Sequence, residues 1–183
     1  GRAMWERAHG RDDTRLTSEP EPQKSVSHST TLAQDAFGDA AVCAALLQQT
    51  EYAAYRLRRL ELRASLVGVS LRYADLRYES AQKRLPRATD VTDELYSALR
   101  PLALALHHGR AVRQVGVSLG RLTGEAEQLS MFEDARHMRM CALDGTTDAL
   151  RNKYGFDVVR RMRTMNFTHT EKDEFTPFAR HFN

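Results

Sequence analysis

The sequence predicts an α+β fold: a four-stranded, mainly antiparallel sheet with two helices on one face, in the order β-α-β-β-α-β, followed by a short helical C-terminal extension. Three observations predict it. Four segments alternate with period two, and two segments between them repeat with helical period. The second and third alternating segments are joined by only a few turn residues, so they form a hairpin, while the other joins carry the helices. Two crossovers around a hairpin put both helices on one side of the sheet and leave the other side open.

The first strand is Lys24 to Leu32. Ser25, Ser27, Ser29 and Thr31 fall on one side, opposed to Val26, His28, Thr30 and Leu32. From Asp39 to about Arg59 the period becomes helical. Val42, Leu46, Ala53 and Leu57 make one stripe, and Arg56, Arg58 and Arg59 suit the C-terminal end of the dipole. Leu66 to Tyr73 alternates again, Val67, Val69, Leu71 and Tyr73 against Gly68, Ser70 and Arg72. Ala74-Asp75 reads as a tight turn, with Asp75 serving it, and Leu76 to Leu85 as the returning strand, closed by Pro86. Thr89 or Asp90 suits the cap of a second helix, with Leu95, Leu99, Leu102 and Leu106 spaced four, three and four. Pro101 should kink that helix by removing the bond to Ser97, and Gly109 should end it. Val112 to Leu119 is the fourth strand, Val115, Val117 and Leu119 against Gln114, Gly116 and Ser118.

Outside this unit, residues 1–23 read as a short helical remnant and linker. Met4, Trp5 and Ala8 offer a small apolar patch, Gly10 stops it, and the lone Trp suggests a piece of something larger. At the other end Leu143, Leu150 and Tyr154 mark a short helix ended by Gly155, Val158 to Met162 suggests another turn or two, and the tail to Asn183 has no clear period. Between lies Gln128-Leu129-Ser130-Met131-Phe132, introduced by a Gly- and Glu-bearing segment and followed by Glu133 and Asp134. A Gln amide for a polar pocket and three apolar side chains for a greasy one suit a docking peptide, each buried anchor contributing roughly 1.5–3 kcal/mol before association costs. The other reading is that Leu129, Met131 and Phe132 cap the local core.

Composition narrows the function. Hydrophobic residues make up 42% of the chain, enough for a core, and no run reaches the ~18 apolar residues of a membrane span, so no membrane partner is expected. No secretory leader is visible, and Cys43 and Cys141 are too far apart in helical contexts for a disulfide framework, which points to a reducing cytosol. The net charge of +3 permits nucleic-acid binding without requiring it. Its distribution says more: Arg and Lys crowd residues 56–87 and 110–121. No glycine-rich phosphate loop is present, and neither His137 and Cys141 nor His107-His108 has the further ligands zinc needs. Asp12-Asp13 lies in a linker without a strand beneath it.

Several stretches resemble one family. Lys24 to Leu32, Leu71-Arg72-Tyr73-Ala74-Asp75 at the hairpin and Val112-Arg113-Gln114-Val115-Gly116-Val117-Ser118 look like the little-finger domain of Y-family translesion DNA polymerases. Trp5 to Gly10 resembles the end of the thumb domain, and Leu143-Asp144 through Leu150-Arg151-Asn152-Lys153-Tyr154-Gly155 is similar to the stretch after the clamp motif in the UmuC/ImpB/MucB/SamB branch. Gln128 to Phe132 resembles the peptide by which bacterial polymerases dock on the sliding clamp, with Met131 in place of the usual Leu, a volume-conserving change.

The resemblance implies four parts: the end of a thumb and linker at 1–23, a little-finger DNA-binding domain at 24–123, a clamp-binding peptide at 124–135 and a helical extension and tail at 136–183. It implies that the open face grips template and primer backbones without reading sequence. Hydroxyls and glycines allow close approach there and cations neutralise phosphate. The candidates are Lys24, Ser25, Ser27, Ser29, Thr31, Ser70, Arg72, Arg77, Lys83, Arg84, Arg113 and Ser118, although Arg113 shares parity with core Val115. Clamp binding falls to Gln128, Leu129, Ser130, Met131 and Phe132. The partners implied are primer-template DNA, the sliding clamp and the palm, fingers and thumb, in a bacterial cytoplasm at the nucleoid. No cofactor is expected in this segment; the whole polymerase is expected to use Mg, on carboxylates the segment lacks. Two rivals stand beside this reading. A catalytically inactive homologue would use the same domain as a clamp adaptor, and an RNA-binding sheet module would need aromatics on the open face of its central strands.

Overall fold

The computed structural model describes residues 1–11, 23–124 and 135–165. Its elements are α1 (Arg2–Ala8), β1 (Ser25–Ala36), α2 (Gly38–Arg59), β2 (Arg63–Tyr73), β3 (Tyr78–Thr89), α3 (Thr92–His107), β4 (Val112–Thr123) and α4 (Ala135–Tyr154). Two single 3-10 turns, Phe156–Val158 and Met162–Thr164, follow α4. The strands stand in the order β1-β4-β2-β3, and every neighbouring pair is antiparallel. Each strand–helix–strand unit therefore straddles a strand of the other, β4 lying between β1 and β2, and β2 between β4 and β3. This is the α+β arrangement that the periodicities predict.

The core lies between one sheet face and the helix pair α2 and α3. Val26, Val67, Val69, Leu71, Val115, Val117 and Leu119 from the strands meet Val42, Leu46, Ala53 and Leu57 of α2 and Leu95, Leu99 and Ala103 of α3. Burying each large apolar side chain contributes about 1.5–3 kcal/mol, and that contribution holds the strand register, since a slip of one residue would turn the whole set outward.

Some expectations are corrected. The hairpin turn is longer than Ala74-Asp75: Leu76 has φ +66°, which cannot extend a strand, and the Asp75 carboxylate accepts the Arg77 N–H at 3.1 Å. The returning strand therefore begins at Tyr78. It is not closed by Pro86 but continues to Thr89, because β3 is an edge strand and its register against β2 shifts between Arg84 and Thr89. Helix α3 continues past Pro101 to His107, without a proline N–H to bond Ser97. Neither Thr89 nor Asp90 occupies its N-cap position, which is Val91, without a side-chain cap bond. Thr89 instead accepts the Val91 N–H and donates to Glu94.

The largest departure concerns α2 and α4. The sequence places Val42, Leu46, Ala53 and Leu57 on one stripe of α2, yet Gln48 to Tyr55 are all buried. The outer side of α2 is covered by α4 and the first 3-10 turn. His28 of β1, Tyr52 and Phe156 stack at 4.6 and 3.9 Å, and the Arg151 guanidinium lies 4.0 Å from the Phe156 ring centroid. Helix α4 turns Asp144, Asp148 and Arg151 toward this contact, whereas Leu143, Leu150 and Tyr154, the residues that marked it in the sequence, are exposed.

Candidate nucleic-acid interface

Strand alternation sorts the open face into rows that cross all four strands. The register aligns Ser25–Gly120–Leu66–Arg84, then Ser27–Ser118–Gly68–Gln82, then Ser29–Gly116–Ser70–Ser80, then Thr31–Gln114–Arg72–Tyr78. The middle two rows hold only Ser, Gly and one Gln. They surround a depression of about 260 Å³.

What marks the glycines of this depression is close approach rather than backbone angle. A Cβ on Gly68 would lie 2.5 Å from the Ser118 hydroxyl, and one on Gly116 would collide with the Ser70 hydroxyl. Each glycine sits beside a serine of the neighbouring strand, so the floor is low and carries hydroxyls at its edge. The N–H groups of β2 and β4 are committed to ladders on both sides and lie in the plane of the sheet. A ligand on this face therefore meets side-chain hydroxyls and cations over the central strands; unpaired main-chain donors are left to the edge strands β1 and β3.

Of the predicted DNA contacts, Ser25, Ser27, Ser29, Thr31, Ser70, Arg72, Arg84 and Ser118 share this face. Lys24 lies just before β1, and Arg77 lies in the hairpin turn. Lys83 is not on the open face: its cross-strand partner is core Val67, so it projects to the helix side at the sheet's edge. Arg113 escapes the core that its parity suggested. Gln114 pairs with Arg72 and Val112 with Tyr73, so Arg113 is the extra residue of a bulge, exposed while Val112 is buried. The clamp candidates Gln128, Leu129, Ser130, Met131 and Phe132 lie outside the described residues, as do Asp12 and Asp13.

Sequence reasoning passed over Tyr78, which is 64% exposed at the end of the Arg72 row. It also passed over Arg110. That guanidinium sits 3.8 Å from the Tyr73 ring centroid and bonds Asp75 and Glu79, which braces the hairpin end of the sheet. Slight desolvation would raise the Asp75 carboxyl, but the Arg77 N–H and the Arg110 guanidinium outweigh it and hold the group below its ordinary range. Arg110 and Asp75 are 35 positions apart, and nothing in the types of these residues singles them out in sequence.

A second polar cluster joins the extension to the helices. Arg58 bonds Asp148 through two nitrogens at 2.6 and 3.0 Å, reaches Asp144 at 3.2 Å, and donates to the Asp90 carbonyl at 2.8 Å. Arg161 lies 3.1 Å from Glu51 and bonds Asp93, and Arg151 lies 3.4 Å from Glu51. Burial pushes the Glu51 carboxyl above its ordinary value, and the two guanidinium groups offset this only in part. On α4, Cys141 Sγ lies 3.5 Å from His137 Nε2, and His137 Nδ1 is 2.6 Å from Glu94. Burial first, then the nearby acids Asp90 and Glu94, raise the Cys141 thiol, which disfavours a thiolate there. Among the described residues no group of three or more His, Cys, Asp or Glu side chains could hold a metal ion, and no helix is long and apolar enough to cross a membrane.

The impB/mucB/samB family C-terminal domain matches residues 23–131, which takes in the whole sheet unit. The chain belongs to this family. Its relatives include DNA polymerase IV of Clostridium acetobutylicum, 30% identical over 88% of this chain and 41% of that protein. DNA polymerase IV 2 of Bacillus subtilis is 29% identical over 90% of this chain and 41% of its own length. The chain thus spans about two-fifths of the length of the curated relatives it matches. A Y-family DNA polymerase chimera of Dbh and Dpo4 shares the fold, with a TM-score of 0.52 and 18% identity over 67% of this chain and 35% of the other. For a member of the impB/mucB/samB family, the open face of the C-terminal domain is the surface whose chemistry needs an account.

Proposed function

We propose that this chain is the DNA-gripping and clamp-docking C-terminal part of a bacterial lesion-bypass DNA polymerase, acting in damage tolerance in the cytoplasm. The observation that carries the reading is the Ser/Gly depression across β1, β4, β2 and β3, with Arg72 and Arg84 in the rows that flank it. Phosphate oxygens need donors that allow close approach and cations that replace condensed counterions. Hydroxyls supply the first and guanidinium groups the second. No side chain in the two middle rows is long or rigid enough to read base edges, other than Gln82, so grip without sequence preference is the expected behaviour.

The second half of the reading rests on Gln128-Leu129-Ser130-Met131-Phe132. Weak DNA contacts and a clamp peptide on one chain act together through effective concentration, which keeps a distributive polymerase at the primer end. The segment itself performs no bond-making step. Nucleotidyl transfer and its Mg belong to the palm, fingers and thumb of the whole protein, whose end and linker residues 1–23 would be. A duplex-binding titration at several salt concentrations, and a clamp titration on the same chain, test the two halves separately. The RNA-binding alternative is disfavoured by one observation: Leu66, Gly68, Ser70, Arg72, Gln114, Gly116, Ser118 and Gly120 leave no aromatic on the open face of the central strands.

A further inference from the structure

The hairpin end of the open face carries two side chains that the Ser/Gly floor does not account for. In the fourth row Arg72 of β2 and Tyr78 of β3 are cross-strand partners. Residues directly opposite on one face hold their Cβ atoms about 4.5–5.5 Å apart, so a guanidinium and a phenol ring stand side by side. Both residues are exposed, Tyr78 to 64%. Among the described residues neither side chain has a hydrogen-bond, ion-pair or ring partner.

The acids nearby do not oppose a phosphate here. Arg110 bonds both Asp75 and Glu79, and Arg77 lies 3.7 Å from Asp75. Glu79 is paired with core Leu71 and so projects to the helix side, away from this row. Tyr78 is the one aromatic in the four rows, and its ring forms part of the wall of the depression. It stands on the edge strand, where a nucleic-acid strand can leave the sheet.

A cation beside a flat ring matches the two halves of a nucleotide, phosphate and base. In a duplex the neighbouring bases cover both faces of each base, and a surface ring meets only sugar and phosphate. An unpaired nucleotide leaves a base face free, and every base has one. We propose that Tyr78 stacks on an unpaired base of the DNA where single strand leaves duplex, next to the phosphate that Arg72 neutralises. This assignment rests on the open face being the DNA surface, and it adds a preference for a primer-template junction over blunt duplex. Stacking carries no net charge, so it adds affinity without adding salt dependence.

The test measures the fluorescence anisotropy of three labelled DNAs that share one duplex, titrated with the intact chain. One is blunt, one carries a single-stranded template overhang of about six nucleotides, within the site size of a small single-strand binder. The third carries the same overhang without its bases, which keeps the phosphates. The natural overhang should raise affinity about fivefold or more over the abasic one. Tyr78→Ala should remove that gain and Tyr78→Phe should keep it. Both variants should retain the blunt-duplex affinity, the salt slope and the melting curve, since the residue is exposed. Equal affinity for natural and abasic overhangs overturns the proposal, as does a gain that survives Tyr78→Ala or is lost in Tyr78→Phe. An equal fall on blunt and overhang DNA also overturns it, because the ring would then lie on the duplex. If blunt duplex binds with salt-dependent affinity and the bases of the overhang add nothing, only the role of Tyr78 falls. If none of the three DNAs binds, the reading of the open face falls with it.

Discussion

Asp144 of α4 accepts the backbone N–H of Thr92, the first residue of α3, at 2.8 Å. The two residues are 52 positions apart. Val91, at the N-cap position, has no side-chain oxygen, so the positive end of the α3 dipole is met by a carboxylate from another helix. The same carboxylate lies 3.2 Å from Arg58. One side chain thus joins the C-terminal extension to the sheet unit as a cap and as an ion pair.

Asp144→Ala should therefore lower stability by about 2 kcal/mol, a lost cap of about 1 kcal/mol plus a weakened buried pair, since Arg58 keeps Asp148. Asp144→Asn should recover about half, because an amide oxygen still caps Thr92. Urea unfolding of the three chains measures this. An unchanged midpoint in the Ala variant would mean that α4 does not hold α3.

Glu51 should give the protein an unusual pH dependence. Its folded pKa is raised above the ordinary 4.5, chiefly by desolvation. Between the unfolded and folded values the native state binds more protons, so stability from this group is present below the unfolded value and is lost as pH rises through the folded one. Relative to Glu51→Gln, the natural chain should gain stability as pH falls toward 4.5. Unfolding free energies of both chains across mildly acid pH report the difference. A difference that grows with rising pH would mean that Arg151 and Arg161 dominate instead.

The depression predicts a separation of binding from stability. Gly68→Val adds a good strand former, and the Ser118 hydroxyl, the nearest obstacle at 2.5 Å, can swing to another rotamer. Stability should change by less than about 1 kcal/mol, while duplex affinity falls about tenfold or more because the floor is raised. Melting curves and a DNA titration on one preparation check both halves. Unaltered affinity would move the DNA site off this face.

For the clamp peptide, Leu129→Ala with Phe132→Ala should abolish binding to a bacterial sliding clamp of micromolar strength, since two apolar anchors contribute several kcal/mol of gross contact. The melting temperature should hold. Val117→Ala, 2% exposed in the core, should lower stability by at least about 1 kcal/mol. A double variant that melts far lower would make Leu129 and Phe132 core residues.

Much of the fold was legible because period is a local property. Ser25 to Thr31 and Gln114 to Ser118 declare an open face by alternation alone, and Val42, Leu46, Ala53 and Leu57 declare the stripe of α2. Lys83 and Arg113 misled for opposite reasons. Lys83 sits on an edge strand where the helix side is itself exposed, and Arg113 sits in a bulge that resets parity. Leu143, Leu150 and Tyr154 mark the helix α4 but do not tell which side of it packs inward. Its orientation comes from Arg58, Glu51 and Arg161, whose partners are 68 to 110 residues away. No local pattern encodes those pairs. The burial of Gln49 and Glu51 was invisible for the same reason.

The central claim is that the open face grips duplex backbone. Its most direct measurement is the affinity of the intact chain for primer-template DNA as a function of salt, on two unrelated sequences. Neutralising Z phosphates gives a slope near −0.9Z, and the cations around this face predict Z of about 3–5. Arg72→Ala, Arg84→Ala and Arg113→Ala should each reduce the slope by about 0.9, equally on both sequences. Affinity that does not change with salt, or a strong preference for one of the two sequences, would contradict the account.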